Sequence, residues 1–175
     1  MINIKSINQK IAEEFKINSM SVPKILKIVV SAGTGNFRDN ENRVKNLQTD
    51  LSKITGQMPA FTTAKKSISG FKLRKGEHVG LKVTLRDKLM WDFLDRLVNI
   101  TFPLIRDFKG ISQKAFDKSG NLSIGIKEHI VFPEIAYDTQ SGICGLQITI
   151  NFSQSNRQIM QKMLEYIGFP LQKEK

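Results

Sequence analysis

An alternation of apolar and polar residues constrains the middle of this chain more than any other feature. Val79, Leu81, Val83 and Leu85 alternate with Gly80, Lys82, Thr84 and Arg86. A period of two is typical of a β-strand that buries one face and exposes the other. The chain is therefore predicted to build a sheet with one apolar face and one open face.

A second, shorter alternation precedes this strand. Phe71 and Leu73 alternate with Lys72 and Arg74, and the segment Lys75–His78 separates the two patterns. Gly76 supplies the backbone freedom that a hairpin turn needs. We predict a projecting β-hairpin whose inner face packs on the core, whose outer face is cationic and whose tip lies at Lys75–His78.

The stretch Thr62–Arg86 that contains both patterns is strongly basic. It holds seven cations against a single acid, Glu77, and so carries six of the eleven net positive charges of the chain. A charge run is often no more than a solvated strand face, but surfaces that serve only solubility usually mix both signs. The stretch is therefore predicted to bind anions. Its cations are Lys65, Lys66, Lys72, Arg74, Lys75, Lys82 and Arg86.

Length and composition limit the class of protein. A chain of 175 residues with 40% apolar residues can bury one core, so residues 1–175 are expected to form a single domain. The pI near 9.8 indicates a polyanionic partner, either nucleic acid or an anionic membrane surface. No apolar run approaches the roughly 18 to 20 residues of a membrane-spanning helix, so no membrane association is expected.

The N-terminal residues and the cysteine content indicate the compartment. The first twenty residues have no apolar centre like that of a signal peptide, and they contain Glu13 and Glu14, which transit peptides avoid. Cys144 is the only cysteine, so no internal disulfide can form, and no Cys/His cluster has zinc spacing. A reducing compartment is expected, either the bacterial cytoplasm or an organelle such as the mitochondrion.

Strand and helix patterns interleave along the chain. This order favours an α+β fold with a single, mostly antiparallel sheet, helices packed on one face, and an open polar and cationic face. Asp39 or Asn40 is predicted to cap the second helix, Gly56 and Gly168 to end helices, and Asp87 to cap the third. Helices are predicted around Ile7–Phe15, Val44–Ile54, Leu89–Ile100 and Ser155–Ile167, and strands around 24–31, 58–63, 71–73, 79–86, 112–117, 121–130 and 146–152.

The open face is predicted to present Lys82 and Thr84 with Gln147, Thr149 and Asn151. Lysine releases counterions from phosphates, and hydroxyl and amide groups can bond the 2′-hydroxyls and base edges of an RNA minor groove. Phe71 is the only aromatic residue that interleaves with the cations. This argues against a stacking platform for single strands and favours folded, double-helical RNA.

Enzymatic chemistry has little support in the sequence. The turn Ala32–Gly35 lacks both G-x-G-x-x-G and the ending of a phosphate-binding loop. The two histidines are His78, on the predicted tip, and His129, in a predicted strand, and no metal-binding pattern accompanies them. No catalysis, no cofactor and no small-molecule substrate are therefore expected.

Three blocks of the sequence resemble one family in order and spacing. They are ITGQMPAFTTAKKSISGFKLRKGEHVGLKVTLR (Ile54–Arg86), IRDFKG (Ile105–Gly110) and FPEIAYD (Phe132–Asp138). Together they resemble the bacterial and organellar form of large-subunit ribosomal protein number five, the 5S rRNA binder. The resemblance implies a protein of the central protuberance that holds 5S rRNA and a helix of large-subunit rRNA. It also implies contacts with P-site tRNA, a small-subunit head protein and neighbouring large-subunit proteins.

The resemblance also implies roles for individual residues. Gln57, Thr84 and position 31 would make polar contacts with 5S rRNA, although the family pattern has Asn where this chain has Ser31, and Arg where it has Cys144. The residues expected to contact tRNA are Arg74, Lys75, Gly76, Glu77 and His78. Those expected to contact rRNA are Ser31, Gly33, Gln57, Thr63, Lys65, Lys66, Ser69, Lys72, Lys82 and Thr84.

Two other functions use the same cationic face. The first is a free RNA-binding module or RNA chaperone that acts outside the ribosome, and the second, weaker alternative is an RNA-modifying enzyme. Ribosome fractionation distinguishes the first alternative, because a ribosomal constituent stays with the large subunit at moderate salt whereas a chaperone appears in the soluble pool.

Overall fold

The computed structural model describes residues 4–37, 40–106, 108–135, 142–154 and 156–172, with side chains from residue 6 onward. The helices are α1 (Ile4–Glu14), α2 (Glu41–Thr55), α3 (Asp87–Arg96), α4 (Phe102–Leu104) and α5 (Arg157–Ile167). The strands are β1 (Ile25–Gly33), β2 (Ala60–Thr63), β3 (His78–Leu85), β4 (Leu122–Ile126) and β5 (Leu146–Phe152). A π-helical turn, Leu97–Thr101, joins α3 to α4.

The five strands form one sheet in the order β2-β3-β1-β5-β4. In the antiparallel pair of β2 and β3, Ala60 lies opposite Lys82 and Thr62 opposite Gly80. Burial alternates along β5 and along the central part of β3, where every second side chain enters the core. The predicted α+β fold with a single antiparallel sheet is confirmed.

Helix α2 begins and ends at the residues that the sequence predicts. The Asn40 side chain accepts a hydrogen bond of 3.1 Å from the Arg43 backbone N–H, which satisfies one unpaired donor of the first turn. At the other end Gly56 adopts φ 71° and its N–H donates to the Ser52 carbonyl at 2.8 Å. Asp39, the alternative cap, lies outside the described residues.

The chain divides into two compact units, and unit 2 comprises Val29–Leu85 and Gly125–Ile148. Its core contains Leu47, Leu51 and Ile54 of α2, which are fully buried. Alternate residues of β3, such as Leu81 and Leu85, are also buried. The predicted apolar face of α2 is therefore confirmed.

Unit 1 comprises Met1–Ile28, Arg86–Ile124 and Thr149–Lys175. In its core the Phe102 ring stacks on Phe108 with 5.0 Å between centroids and meets the edge of Phe169 at 5.5 Å. Gly110 has φ 88°, and a Cβ atom there would lie 2.9 Å from the Pro170 carbonyl oxygen. That close approach lets the Ile111 N–H donate to the same oxygen at 2.8 Å.

Several predicted boundaries are wrong in unit 1. The predicted strand at 112–117 contains a 3₁₀ turn, Gln113–Ala115, because Ser112 caps the Lys114 N–H with its hydroxyl. Asp87 opens α3 instead of capping it. The apolar spacing of this helix predicts that Leu89, Phe93, Leu94, Leu97 and Ile100 face inward. Phe93, Leu94 and Leu97 are buried as predicted, whereas Leu89 and Ile100 are 42% and 41% exposed, and Met90 is buried as well.

The predicted strand at 121–130 is shorter than expected, because the chain leaves the sheet after Ile126 and forms a 3₁₀ turn at His129–Val131. His129 therefore lies in a turn and not in a strand. The single-domain assignment of residues 1–175 remains a prediction. Within the described ranges, no helix is long and apolar enough to cross a membrane.

Candidate nucleic-acid interface

A shallow groove of about 480 Å³ crosses the open face of the sheet in unit 2. Its wall carries polar groups that include Ser31 of β1, Thr62 of β2 and Lys82 of β3. Gln147 of β5 is exposed on the same groove, and Gly33 ends β1 beside it. The structure therefore brings together Ser31, Gly33 and Lys82, three of the residues predicted to contact rRNA.

Glycines leave the strand backbone in this groove uncovered. A Cβ atom on Gly80 would lie 2.8 Å from the Ala32 carbonyl oxygen and 3.0 Å from Thr62 Oγ1. Any larger residue at position 80 would therefore displace either the β1 backbone or the Thr62 side chain. Gly33 and Gly145, also in the wall, have no side chain to cover the backbone. A partner can consequently approach the strands closely.

Thr84 is the next outward residue on β3 beyond Lys82, and it is half-buried. Gln57 lies three residues before β2 begins at Ala60, which pairs with Lys82. Because β2 and β3 are antiparallel, the chain approaches β2 from the end of β3 that carries Thr84. The Gln57 side chain is exposed. Its backbone is held because the buried Thr55 hydroxyl donates to the Gln57 carbonyl at 2.9 Å.

The basic segment between β2 and β3 is a long loop, not the short-tipped hairpin that the sequence predicts. The Ala64 N–H donates to the Glu77 carbonyl at 2.9 Å, and the Gly76 N–H donates to the Ala64 carbonyl at 2.9 Å. These bonds close the loop at its base. Gly76 has positive φ, 91°, as predicted, but it closes the base and does not form the tip.

The far end of the loop is a small turn within the larger one. Ile68 and Leu73 exchange two backbone hydrogen bonds of 2.9 and 3.1 Å, and a 3₁₀ turn, Ser69–Phe71, connects them. Lys72 adopts the left-handed conformation with φ 50°. The predicted strand Phe71–Leu73 is therefore wrong, because these residues pair within the loop and β3 pairs with β2 instead. We call Ser69–Lys72 the apex and Arg74–His78 the neck.

Two side chains fasten the loop to itself. The Glu77 carboxylate accepts a hydrogen bond of 2.9 Å from the Arg74 backbone N–H, and the Ser67 hydroxyl accepts one of 3.0 Å from the Lys75 N–H. The loop is thereby ordered by its own contacts. At the start of β3, the His78 ring lies 4.6 Å from the Phe61 ring, centroid to centroid.

The predicted site residues of the loop are mostly exposed. The exposed members are Thr63, Lys65, Lys66, Ser69, Lys72, Arg74, Lys75, Gly76 and His78, whereas Glu77 is half-buried. The structure thus separates two groups that the sequence places together. The first group, on the groove and the strand ends beside it, comprises Ser31, Gly33, Gln57, Lys82 and Thr84. The second group lies on the loop and on the residues where β2 ends and β3 begins.

A buried polar cluster in unit 2 involves the second histidine. His129 Nδ1 accepts a hydrogen bond of 3.2 Å from the Cys144 N–H, and His129 Nε2 lies 3.6 Å from Asp50 Oδ2. Burial lowers the pKa of His129, and the Asp50 carboxylate opposes that effect. This arrangement favours the neutral imidazole with its proton on Nε2, so His129 is placed as a structural residue.

Cys144 belongs to the same cluster. Its side chain is buried, and burial raises the pKa of the Cys144 thiol, while the Arg43 cation opposes that effect. Arg43 lies over the Phe37 ring at 4.4 Å and against Gly142, where a Cβ atom would lie 2.7 Å from its guanidinium. Arg43 thus supplies a cation beside Cys144.

Sequence reasoning missed Thr62, Gly80 and Gly145 among the groove residues. For Gly80 the sequence did carry a signal, because Gly80 is one of the residues that the alternation of the β3 strand directs toward the open face. Only the pairing of β2 with β3 places Thr62 opposite Gly80 and turns both toward the groove. Within the described residues, no group of three or more His, Cys, Asp or Glu side chains could hold a metal ion.

Comparison with known proteins identifies the family of the chain. The family described as Ribosomal protein L5 matches residues 18–74, and the C-terminal region of the same ribosomal family matches residues 78–171. The chain is 46% identical over 167 residues to the Large ribosomal subunit protein uL5 of Pelobacter propionicus. That match covers 95% of this chain and 93% of the relative.

Proposed function

The chain belongs to the ribosomal protein L5 family, and from this premise we propose that it holds 5S rRNA and a helix of large-subunit rRNA in the central protuberance. Family membership makes it an rRNA-binding structural constituent of the large ribosomal subunit. The proposal adds the RNA partners and the surfaces that bind them. We propose that these ribosomes are those of the bacterial cytoplasm or of an organelle such as the mitochondrion.

The groove on the open sheet face is the observation that carries the proposal. Ser31, Thr62 and Gln147 offer hydroxyl and amide groups, and Lys82 adds a cation at the same place. The minor groove of an RNA helix is wide and shallow and displays 2′-hydroxyls. A shallow polar groove with exposed backbone and a flanking cation suits that surface.

The polar contacts and the phosphate contacts lie on different parts of unit 2. We assign the polar rRNA contacts to Ser31, Gly33, Gln57 and Thr84. Exposed cations add binding affinity by releasing counterions from phosphates, and these contacts do not depend on the RNA sequence. Phosphate contacts are assigned to Lys65, Lys66, Lys72 and Lys82, with the hydroxyls of Thr63 and Ser69 beside them.

The neck, Arg74–His78, is proposed to contact P-site tRNA. Arg74, Lys75 and His78 are exposed at the base of a loop that its own hydrogen bonds already order. Such a loop can meet a transient partner without first folding. A small-subunit head protein and neighbouring large-subunit proteins complete the proposed partners, and no catalytic role is proposed.

Sedimentation followed by RNA sequencing tests the 5S assignment. An affinity-tagged full chain, expressed in its own cells, should sediment with the large subunit at moderate salt. The RNA that copurifies with it after subunit dissociation should be enriched in 5S rRNA. Recovery in the soluble pool with mixed RNA would instead identify an RNA chaperone.

A triple variant tests the tRNA assignment. Arg74→Ser, Lys75→Ser and His78→Ser should leave folding, 5S rRNA binding and subunit assembly intact, but weaken P-site tRNA binding, by an amount that shrinks as salt rises. Lys88→Ser with Lys118→Ser removes the same formal charge from unit 1 and serves as the control. Equal loss of 5S rRNA binding in the triple variant would place the neck on rRNA.

A further inference from the structure

Apolar side chains are exposed among cations at Phe71 in the apex of the loop and at Ile68 just before it. Phe71 is 73% exposed and Ile68 is 46% exposed. Neither side chain enters a core, and hydration of an exposed ring is unfavourable. An exposed ring at the end of a basic loop is therefore accessible to a partner, and the residues around it decide which partner it suits.

The backbone beneath this ring is ordered. The paired hydrogen bonds between Ile68 and Leu73 close the apex, and the Lys72 N–H donates to the Ser69 carbonyl at 2.9 Å. Phe71 ends the 3₁₀ turn that these bonds enclose. The ring therefore starts from a restricted position, which reduces the entropy lost when it meets a partner.

The charges around the apex select the class of partner. Lys65, Lys66 and Lys72 are exposed in the same loop, and Glu77, its acid, accepts a backbone hydrogen bond at the neck. Cations in this density attract a polyanion. A phenyl ring makes no bond to phosphate, and the planar apolar surface that a nucleic acid offers is the face of a base.

We propose that Phe71 stacks on the face of a nucleobase in folded RNA and is the apolar anchor of the loop. The inference rests on the proposed RNA-binding function and deepens it. It adds an apolar contact at the apex to the contacts proposed for the neck. It also adds a component of binding that does not depend on salt, since stacking releases no counterions.

Substitutions at position 71 separate stacking from general apolar contact. Phe71→Trp keeps a ring and should bind as tightly as the unchanged chain or more tightly. Phe71→Leu keeps apolar area without a π face, and Phe71→Ala removes both. Both variants should bind roughly 5- to 150-fold more weakly, the range found for loss of one stacked base. Met20→Ala, at an 88% exposed apolar residue of unit 1, is the matched control and should change nothing.

Binding is measured in two arms with the full chain. One arm uses purified chain with transcribed 5S rRNA, and the other uses large subunits carrying the variant, joined with small subunits and P-site tRNA. Weakening in the first arm assigns the base to 5S rRNA, and weakening in the second assigns it to tRNA. The slope of log affinity against log salt should stay unchanged in Phe71→Ala.

Fluorescence gives an independent signature. Trp91 is the only tryptophan of the unchanged chain. The difference in tryptophan fluorescence between Phe71→Trp and the unchanged chain therefore reports on the new ring. Stacking should quench it when RNA binds.

Two results would overturn the inference while leaving the proposed function intact: equal binding by Phe71→Ala in both arms, or Phe71→Leu binding as tightly as the unchanged chain. Failure of the unchanged chain to bind RNA in either arm would refute the proposed function, and the stacking inference with it.

Discussion

The Glu77 carboxylate accepts a hydrogen bond of 2.9 Å from the backbone N–H of Arg74. The acid that interrupts the basic stretch thus fastens the neck of the loop. Sequence similarity alone groups Glu77 with its neighbours as a tRNA contact. The geometry instead favours a positioning role, because a carboxylate repels phosphate and this one already accepts a backbone donor.

Glu77→Ala should loosen the neck. Loss of a hydrogen bond to a charged acceptor should raise the exchange rate of the Arg74 amide hydrogen about tenfold. Glu77→Gln retains a neutral acceptor, so its Arg74 exchange rate should lie between those of the unchanged chain and Glu77→Ala. Hydrogen exchange followed by NMR measures the effect, with Glu13→Ala on α1 as the control. Unchanged Arg74 exchange in Glu77→Ala would exclude the positioning role.

Gly80→Ala should destabilise the chain by about 1 to 3 kcal/mol, because the new Cβ meets the β1 backbone at 2.8 Å. Gly125→Ala is the matched control, since Gly125 also lies in a strand of unit 2 and a Cβ there meets nothing within 4 Å. That control should be neutral or slightly stabilising. Urea unfolding of both variants provides the comparison, and equal stabilities would contradict the close approach at Gly80.

Thr84→Ala and Gln57→Ala should each weaken 5S rRNA binding by about 1 to 3 kcal/mol, because each removes a polar partner from a desolvated contact. The salt dependence should stay the same, since neither residue carries charge. Filter binding measures both quantities. Gln154→Ala, at an exposed residue of unit 1, is the control, and wild-type affinity in both Thr84→Ala and Gln57→Ala would remove these residues from the interface.

Lys65→Ala should lower the slope of log affinity against log salt by about one, because one phosphate contact is lost. Lys45→Ala removes the same charge from α2, where Lys45 lies 3.8 Å from Glu41, and should leave the slope unchanged. A filter-binding series over salt measures both. Weaker binding of Lys65→Ala with an unchanged slope would contradict the phosphate role.

His129 should make the stability of the chain depend on pH. Burial lowers its folded-state pKa below the value of about 6.5 for an unfolded chain. At pH values between the two pKa values, the unfolded state therefore binds more protons than the folded state. The contribution of His129 is therefore complete above pH about 6.5 and is lost as pH falls through the lowered folded-state pKa.

Urea unfolding between pH 8 and pH 5 measures this dependence. His129→Gln should be less stable at pH 8, because the Cys144 N–H and the Asp50 carboxylate lose their contacts with the imidazole, and its stability should fall less steeply toward pH 5. An identical pH dependence in the variant would show that other groups are responsible.

Much of the fold could be predicted because local signals and the global fold agree. The alternation of β3 predicts which residues are buried, and Gly56 and Gly168 end their helices with positive φ as expected. The signals failed where local hydrogen bonding competes with strand formation. Ser112 caps a 3₁₀ turn in place of a predicted strand, and Ile68 pairs with Leu73 inside the loop.

The sequence by itself determined the strand that carries the open face, the basic character of the loop and membership of the family, because these depend on periodicity, charge and motif. Tertiary structure alone decided that β3 pairs with β2, since register is a property of two strands and shifts between Thr62 and Thr63. It also brought Asp50 to His129, far apart in the chain. Such contacts depend on how the backbone packs, which no local pattern encodes.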